Sequence, residues 1–142
     1  MSTYVDTSFL VSLYSLDANS SAAARVMQTA AGDRFLTTFG ELELANALEV
    51  RVFRKEVSVA QARSSWKDFE QDLKDGIFQI RPLSDQAFER ARQLVRATTA
   101  RLGTRTADLL HVAAALELKA DRFFSFDQQQ RKLAREVRLK LN

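Results

Sequence analysis

Short apolar runs alternate with longer amphipathic ones along the whole chain, and the two periods separate strand from helix. Tyr4 to Asp6 reads as the end of a first strand, and Ser8 to Ser15 as a helix with Ser8 as its N-cap. The alanine-rich stretch Ser20 to Ala31 predicts a second helix, stopped at Gly32. Arg34 to Thr37 predicts a strand, and Phe39 to Lys55 a long helix capped by Thr38. Val59 to Asp75 predicts another helix ending at Gly76, followed by a strand from Ile77 to Arg81 that Pro82 terminates. Ser84 opens a helix from Asp85 to Leu102, and Thr106 to Lys119 forms the next. Arg122 to Phe126 reads as a strand, Gln128 to Glu136 as the last helix, and Val137 to Leu141 as a closing strand.

Strands alternating with helices imply an α/β fold in which a parallel sheet is covered on both faces. Ligands of such sheets sit beyond the carboxyl ends of the strands, at the topological switch point. Asp6 and Asp127 end the first and fourth predicted strands, so both are expected at that rim. With 142 residues, the chain is expected to form a single domain spanning 1–142.

Composition narrows the chemistry. The absence of cysteine excludes disulfides, zinc–thiolate sites and thiol catalysis. No leader-like or membrane-spanning run is visible, so a cytoplasmic protein with no membrane partner is expected. The formal net charge of +3 is compatible with nucleic acid without demanding it. Between Arg131 and Lys140 five basic residues face one acid, Glu136, which reads either as a solvated terminal helix and edge strand or as a phosphate-contacting patch. Neither a Gly-rich dinucleotide turn nor a phosphate-cradling Gly-Lys-Ser/Thr loop is present.

The candidate chemistry lies in Asp6, Glu43, Asp108 and Asp127. Each alone also reads as a helix-start acid, stabilised by the helix dipole by about 0.3–1 kcal/mol. Together, at strand ends and helix starts of one sheet, they would repel: two carboxylates ~5 Å apart cost roughly 3 kcal/mol at an effective dielectric of 20. A hard divalent cation, Mg²⁺ or Mn²⁺, offsets that repulsion. Asp108 opens a nearly all-apolar helix, so it either caps that helix or faces a polar pocket. His111, on much the same side, is read as a core histidine bonded to a backbone carbonyl, ahead of a catalytic or RNA-contacting role. Phe123, Phe124 and Phe126 are read as buried strand residues rather than base-stacking platforms.

In order along the chain, Val5-Asp6-Thr7-Ser8, Glu43 with Asn46-Ala47, Asp108 with His111 and Ala113, and Ser125-Phe126-Asp127 resemble the motifs of the PIN domain, specifically VapC-type toxins of toxin–antitoxin pairs. The resemblance implies a three-layer α/β/α fold with a central parallel sheet of four to five short strands. It implies a Mg²⁺-dependent endoribonuclease (Mn²⁺ also fits) that hydrolyses RNA phosphodiester bonds and is neutralised by a cognate antitoxin, and it implies a homodimer. Asp6, Glu43 and Asp108 carry over as ligands of the principal ion, and Asp127 as ligand of a second ion or orienter of the attacking water. Ser8, Asn46 and Ser125 carry over as partners that orient the carboxylates, Ser125 standing where the family usually has Thr. Glu41 leaves a small ambiguity of register that Asn46 settles in favour of Glu43.

Arg51, Arg54, Lys55, Arg131, Lys132 and Arg135 are candidate RNA contacts. Phe53, Val57, Val59 and Trp66 are explained mostly by core packing, but their region resembles the family's antitoxin groove, which makes Trp66 and Phe53 candidate antitoxin contacts. Two rival readings remain. A phosphatase using an Asp-x-Asp pair is disfavoured because Ser8 stands two residues after Asp6. A catalytically silent PIN-like module that only binds RNA or protein predicts the loss of an acid, and all four are present.

Overall fold

A computed structural model describes residues 1–142. Five strands, β1 (Thr3–Val5), β2 (Arg34–Thr37), β3 (Gln79–Arg81), β4 (Arg122–Phe124) and β5 (Lys140–Leu141), form one sheet in the order β3-β2-β1-β4-β5. Every pairing is parallel. Seven helices cover it: α1 (Thr7–Tyr14), α2 (Ser20–Thr29), α3 (Thr38–Phe53), α4 (Val59–Lys74), α5 (Asp85–Leu94), α6 (Thr106–Glu117) and α7 (Gln128–Glu136). No helix is long and apolar enough to cross a membrane.

The three layers follow from the period of two along each strand. Tyr4, Phe35 and Phe123 point to one face and pack with α5, α6 and α7 through residues such as Leu94, Val112 and Leu133. Their neighbours Val5, Leu36 and Phe124 point to the other face and pack with α1, α3 and α4 through Phe9, Leu44 and Phe69. A sheet buried on both faces needs such near-continuous apolar strands. Phe123 and Phe124 are accordingly buried, and Phe126 is partly buried, as expected. Helix α6 is buried on every side from Asp108 to Ala115, and its run of alanines lets neighbouring backbone approach closely.

Several boundaries differ from expectation for identifiable reasons. Asp6, not Ser8, caps α1, because its carboxylate reaches the Phe9 N–H and Ser8 already lies inside the helix. Thr37, not Thr38, caps α3 through the Gly40 N–H. The helix expected to run unbroken to Leu102 loosens into a π turn at Val95–Thr99, where the buried Thr98 hydroxyl donates to the Leu94 carbonyl at 2.6 Å. Strand β4 stops at Phe124 because the Ser125 N–H bonds to the Asn142 side chain instead of a neighbouring strand. Core packing does not account for Phe53 and Val59, which are 85% and 49% exposed.

The sheet order places the switch point between β1 and β4, since the chain leaves β1 for β2 on one side and only later adds β4 on the other. Asp6 follows β1 directly, and Ser125 to Asp127 follow β4.

Candidate active site

Two hydroxyls lace the switch point together. The Ser8 hydroxyl donates to Asp6 Oδ1 at 2.7 Å and accepts the Phe126 and Asp127 N–H groups at 2.9 and 3.2 Å. The buried Ser125 hydroxyl donates to Asp6 Oδ2. Asp6 also accepts the Phe9 N–H at 2.9 Å and is wholly buried. Burial pushes its pKa up, against the opposing pull of His111, Ser125, Phe9 and Ser8. The two serines thus each bond one carboxylate oxygen of Asp6.

Asp127 caps α7, accepting the Gln129 and Gln130 N–H groups on Oδ1 at 2.9 and 3.1 Å. That leaves Oδ2 facing the cleft, where it accepts from Arg105 Nη2 at 2.8 Å. Asp108 stands in the first turn of α6 with its side chain fully buried. Both readings left open for it hold at once: Oδ2 accepts the Arg105 backbone N–H at 2.9 Å, and both oxygens bond the Arg105 guanidinium at 3.0 Å. The guanidinium is held protonated by its bonds to Asp108 first and Asp127 second.

Glu43 enters from α3. Its Oε1 accepts the Thr7 hydroxyl at 2.7 Å and meets His111 Nε2. Burial works to raise the Glu43 pKa, but the His111 and Thr7 contacts outweigh it and hold the carboxyl below its usual range. The other ring nitrogen of His111 meets the Tyr4 hydroxyl at 2.7 Å. His111 therefore bonds two side chains rather than the backbone carbonyl expected for it, and burial raises the Tyr4 pKa far above its usual value. Asn46 is exposed and makes no hydrogen bond to Glu43; Thr7 and His111 orient that carboxylate instead.

Glu43, Asp108 and Asp127 line one open cleft of about 480 Å³ together with Ser8, Arg51 and Arg105. Asp6 lies behind its wall, joined to it through Ser8 and Ser125. Glu41 is not among the lining residues. The acids and His111 do not converge on one point as a group of three or more. Two of them already share a cation, the Arg105 guanidinium, so positive charge between Asp108 and Asp127 is what this cleft accommodates. Gln130 also lines the cleft, 6% exposed, and its buried Oε1 has no hydrogen-bond partner. All-oxygen donors with a spare buried acceptor suit a hydrated hard cation such as Mg²⁺.

The basic candidates divide. Arg51 and Arg131 are tied into the fold, Arg51 to Asp17 and Ser15, and Arg131 to the Ser125 carbonyl and Asn142. Arg54, Lys55, Lys132 and Arg135 are exposed, and Arg54 lines a cavity adjoining Glu43. Trp66 lines a shallow groove between α3 and α4 with Leu48 and Ala62, and Phe53 stands exposed at the end of α3. Sequence reasoning missed Arg105, Thr7, Tyr4 and Gln130 as neighbours of the acids. Two of them left a trace: Thr7 directly follows Asp6 in the first quoted motif, and Arg105 stands three residues before Asp108 at a helix start.

The family model described as PIN domain matches residues 3–136. Among solved structures, the chain resembles VapC20 of Mycobacterium tuberculosis, a Sarcin-Ricin loop cleaving toxin, at 15% identity and a TM-score of 0.70, covering 92% of this chain and 93% of that one. It also resembles VapBC2 of Rickettsia felis bound to a DNA fragment from their promoter, at 16% identity and a TM-score of 0.66, covering 100% and 98%. A toxin–antitoxin complex from Klebsiella pneumoniae aligns at 12% identity and a TM-score of 0.64, covering 90% and 88%. No curated protein matches by sequence.

Proposed function

The chain belongs to the PIN-domain family, and on that footing we propose that it is a Mg²⁺-dependent endoribonuclease, the toxin of a toxin–antitoxin pair. The observation that carries the proposal is the meeting of Asp108 and Asp127 on one cation in a cleft that Glu43 also lines, with Asp6 held just behind. Asp6, Asp108 and Asp127 each serve a helix start, but that local task does not require carboxylates from separate segments to gather at one strand-end rim. Their common property is affinity for a divalent metal and, through it, for phosphate.

Asp6, Glu43 and Asp108 are the residues that would hold the principal ion, and Asp127 a second ion or the attacking water. Bound Mg²⁺ supplies a Lewis acid for the scissile phosphate and a water of lowered pKa. The chain's own groups prepare the donors. Ser8 and Ser125 fix both oxygens of Asp6. Thr7 and His111 keep Glu43 ionised and aimed into the cleft. The α7 N-terminus takes one oxygen of Asp127 and leaves the other facing the cleft, where Arg105 meets it.

The Sarcin-Ricin loop cleavage named for VapC20 supports RNA as the substrate class, and the two assemblies among the similar structures support an antitoxin partner. Exposed Leu42, Phe53 and Val59, beside the Trp66 groove, supply an apolar surface suited to a protein partner, the antitoxin or a second copy. The test is incubation of purified protein with total RNA, with and without Mg²⁺, and mapping of the cut ends. Discrete Mg²⁺-dependent cuts that vanish in Asp6→Asn are expected. Equal cutting by that variant, or cutting in EDTA, contradicts the proposal.

A further inference from the structure

The buried carboxylate of Asp108 depends on a single residue. Its side chain is 0% exposed, and every hydrogen bond it accepts comes from Arg105: the backbone N–H, Nε and Nη2. An ionised carboxylate removed from water needs such a partner, because an unpaired buried charge costs several kcal/mol or, failing that, neutralises by protonation. The same Nη2 reaches Asp127 Oδ2 at 2.8 Å, so one atom touches carboxylates from two different helix starts.

Nothing else anchors that guanidinium. Its side chain is 59% exposed, and it bonds no carbonyl, hydroxyl or amide of the rest of the protein. Of the other charged groups lining the cleft, Asp17 pairs with Arg51, and Glu43 is bonded by Thr7 and His111. The Arg105 head group is thus the one cation serving Asp108 and Asp127, and it reaches them from solvent on a flexible stem. A divalent ion bound by both carboxylates competes for the same oxygens, and the two cations repel each other.

We infer that Arg105 is a displaceable counter-ion: it holds Asp108 and Asp127 in place in the metal-free protein and swings out when a divalent cation takes their oxygens. The inference rests on the metal-dependent reading above and makes Arg105 a positioning residue, acting through the two aspartates. Displacement taxes metal affinity, because the apparent dissociation constant is the intrinsic one divided by the fraction of molecules in which the carboxylates are free. The cost is returned as stability of the acid pair when no metal is present.

The test compares wild type, Arg105→Gln and Arg105→Lys by calorimetric Mn²⁺ titration and by thermal unfolding in EDTA, with RNA cleavage followed in parallel. Arg105→Gln keeps a hydrogen-bonding head without charge. It is expected to unfold at a lower temperature in EDTA and yet to bind Mn²⁺ more tightly, by about tenfold if the closed arrangement holds about nine molecules in ten. Arg105→Lys retains the charge and is expected to return both values toward wild type. A residue that merely props up the fold would weaken metal binding as it lost stability, so tighter binding with lower stability is the diagnostic pair. Equal or weaker Mn²⁺ binding by Arg105→Gln, with metal-dependent cleavage intact in wild type, overturns the counter-ion role alone. No Mn²⁺ binding and no metal-dependent cleavage by wild type overturns both the counter-ion role and the nuclease reading.

Discussion

Two arginines line the same cleft and pair with carboxylates at nearly the same distance, yet they are anchored in opposite ways. Arg51 bonds Asp17 at 2.9 Å, but it also donates to the Ser15 hydroxyl at 2.9 Å and approaches the Ser15 and Leu16 carbonyls, and it is only 17% exposed. It sews the end of α1 to α3. Arg105 bonds Asp127 at 2.8 Å and Asp108 at 3.0 Å, but its head makes no other hydrogen bond and its side chain is mostly exposed. The contrast teaches that an ion pair's role is set less by its length than by what else holds the cation. A guanidinium woven into backbone carbonyls is a structural clip, whereas one resting only on acids can be exchanged for another cation.

The largest break in this comparison comes from removing the anion on the exchangeable side. Asp108→Asn is expected to lower Mg²⁺-dependent RNA cleavage by more than about 100-fold, since losing even a residue that orients a metal ligand costs about 10–100-fold. The fold should survive, and circular dichroism and cleavage assays on the same preparation check both halves.

Between the two extremes stands the Glu43–His111 pair, buried on one side and open to the cleft on the other. His111→Leu removes one of the two contacts that orient Glu43 and takes away the His111 partner of the buried Tyr4 hydroxyl. Metal affinity should fall by about 10–100-fold, and stability by about 1–3 kcal/mol for the buried group left without that partner. Mn²⁺ titration and urea unfolding measure the two losses.

Removing the clip, unlike removing the exchangeable arm, should cost stability without changing metal affinity. Arg51→Met is expected to cost about 2 kcal/mol, the usual scale for hydrogen bonds to charged groups, while leaving the Mn²⁺ dissociation constant within about twofold, a change under 0.5 kcal/mol. Chemical unfolding and calorimetry decide it.

The smallest effect has a pH signature. Burial tends to raise the Asp17 pKa, but the Asn19 N–H, the Ser12 hydroxyl and Arg51 outweigh it and leave the carboxyl below its ordinary range. A depressed folded-state pKa means that the ionised form stabilises the fold. That contribution is complete above the unfolded value near 4 and disappears as pH falls through the lower folded value. Asp17→Asn should therefore be less stable than wild type at pH 7 by up to about 1 kcal/mol, with the gap closing in acid. Thermal unfolding across pH reads it directly.

How much of this was legible in the amino-acid order depends on whether the signal was local. Strands alternating with helices along the chain predicted a parallel sheet covered on both faces, and the adjacent apolar pairs Tyr4-Val5, Phe35-Leu36 and Phe123-Phe124 fill those two faces. The rule placing ligands at strand ends predicts Asp6 and Asp127 at the rim, and the two stand just past β1 and β4. What stayed hidden were contacts across long separations. Nothing near His111 in sequence indicates that its ring spans from Tyr4 to Glu43. The choice between Ser8 and Asp6 as the α1 cap was likewise open in the sequence, where both read as helix-start residues, and it is decided by the Phe126 and Asp127 N–H groups that occupy the Ser8 hydroxyl. Asn46 shows the opposite error: spacing along a helix put it on the side of Glu43, but adjacency there does not ensure a hydrogen bond.

On the proposed function, the rim carboxylates share a divalent ion on which RNA cleavage depends. Titration of Mn²⁺ into EDTA-stripped wild type and into Asp108→Asn tests it most directly. Saturable binding by wild type that is lost in the variant, in step with cleavage, is the predicted result. Identical binding curves for the two proteins would contradict it.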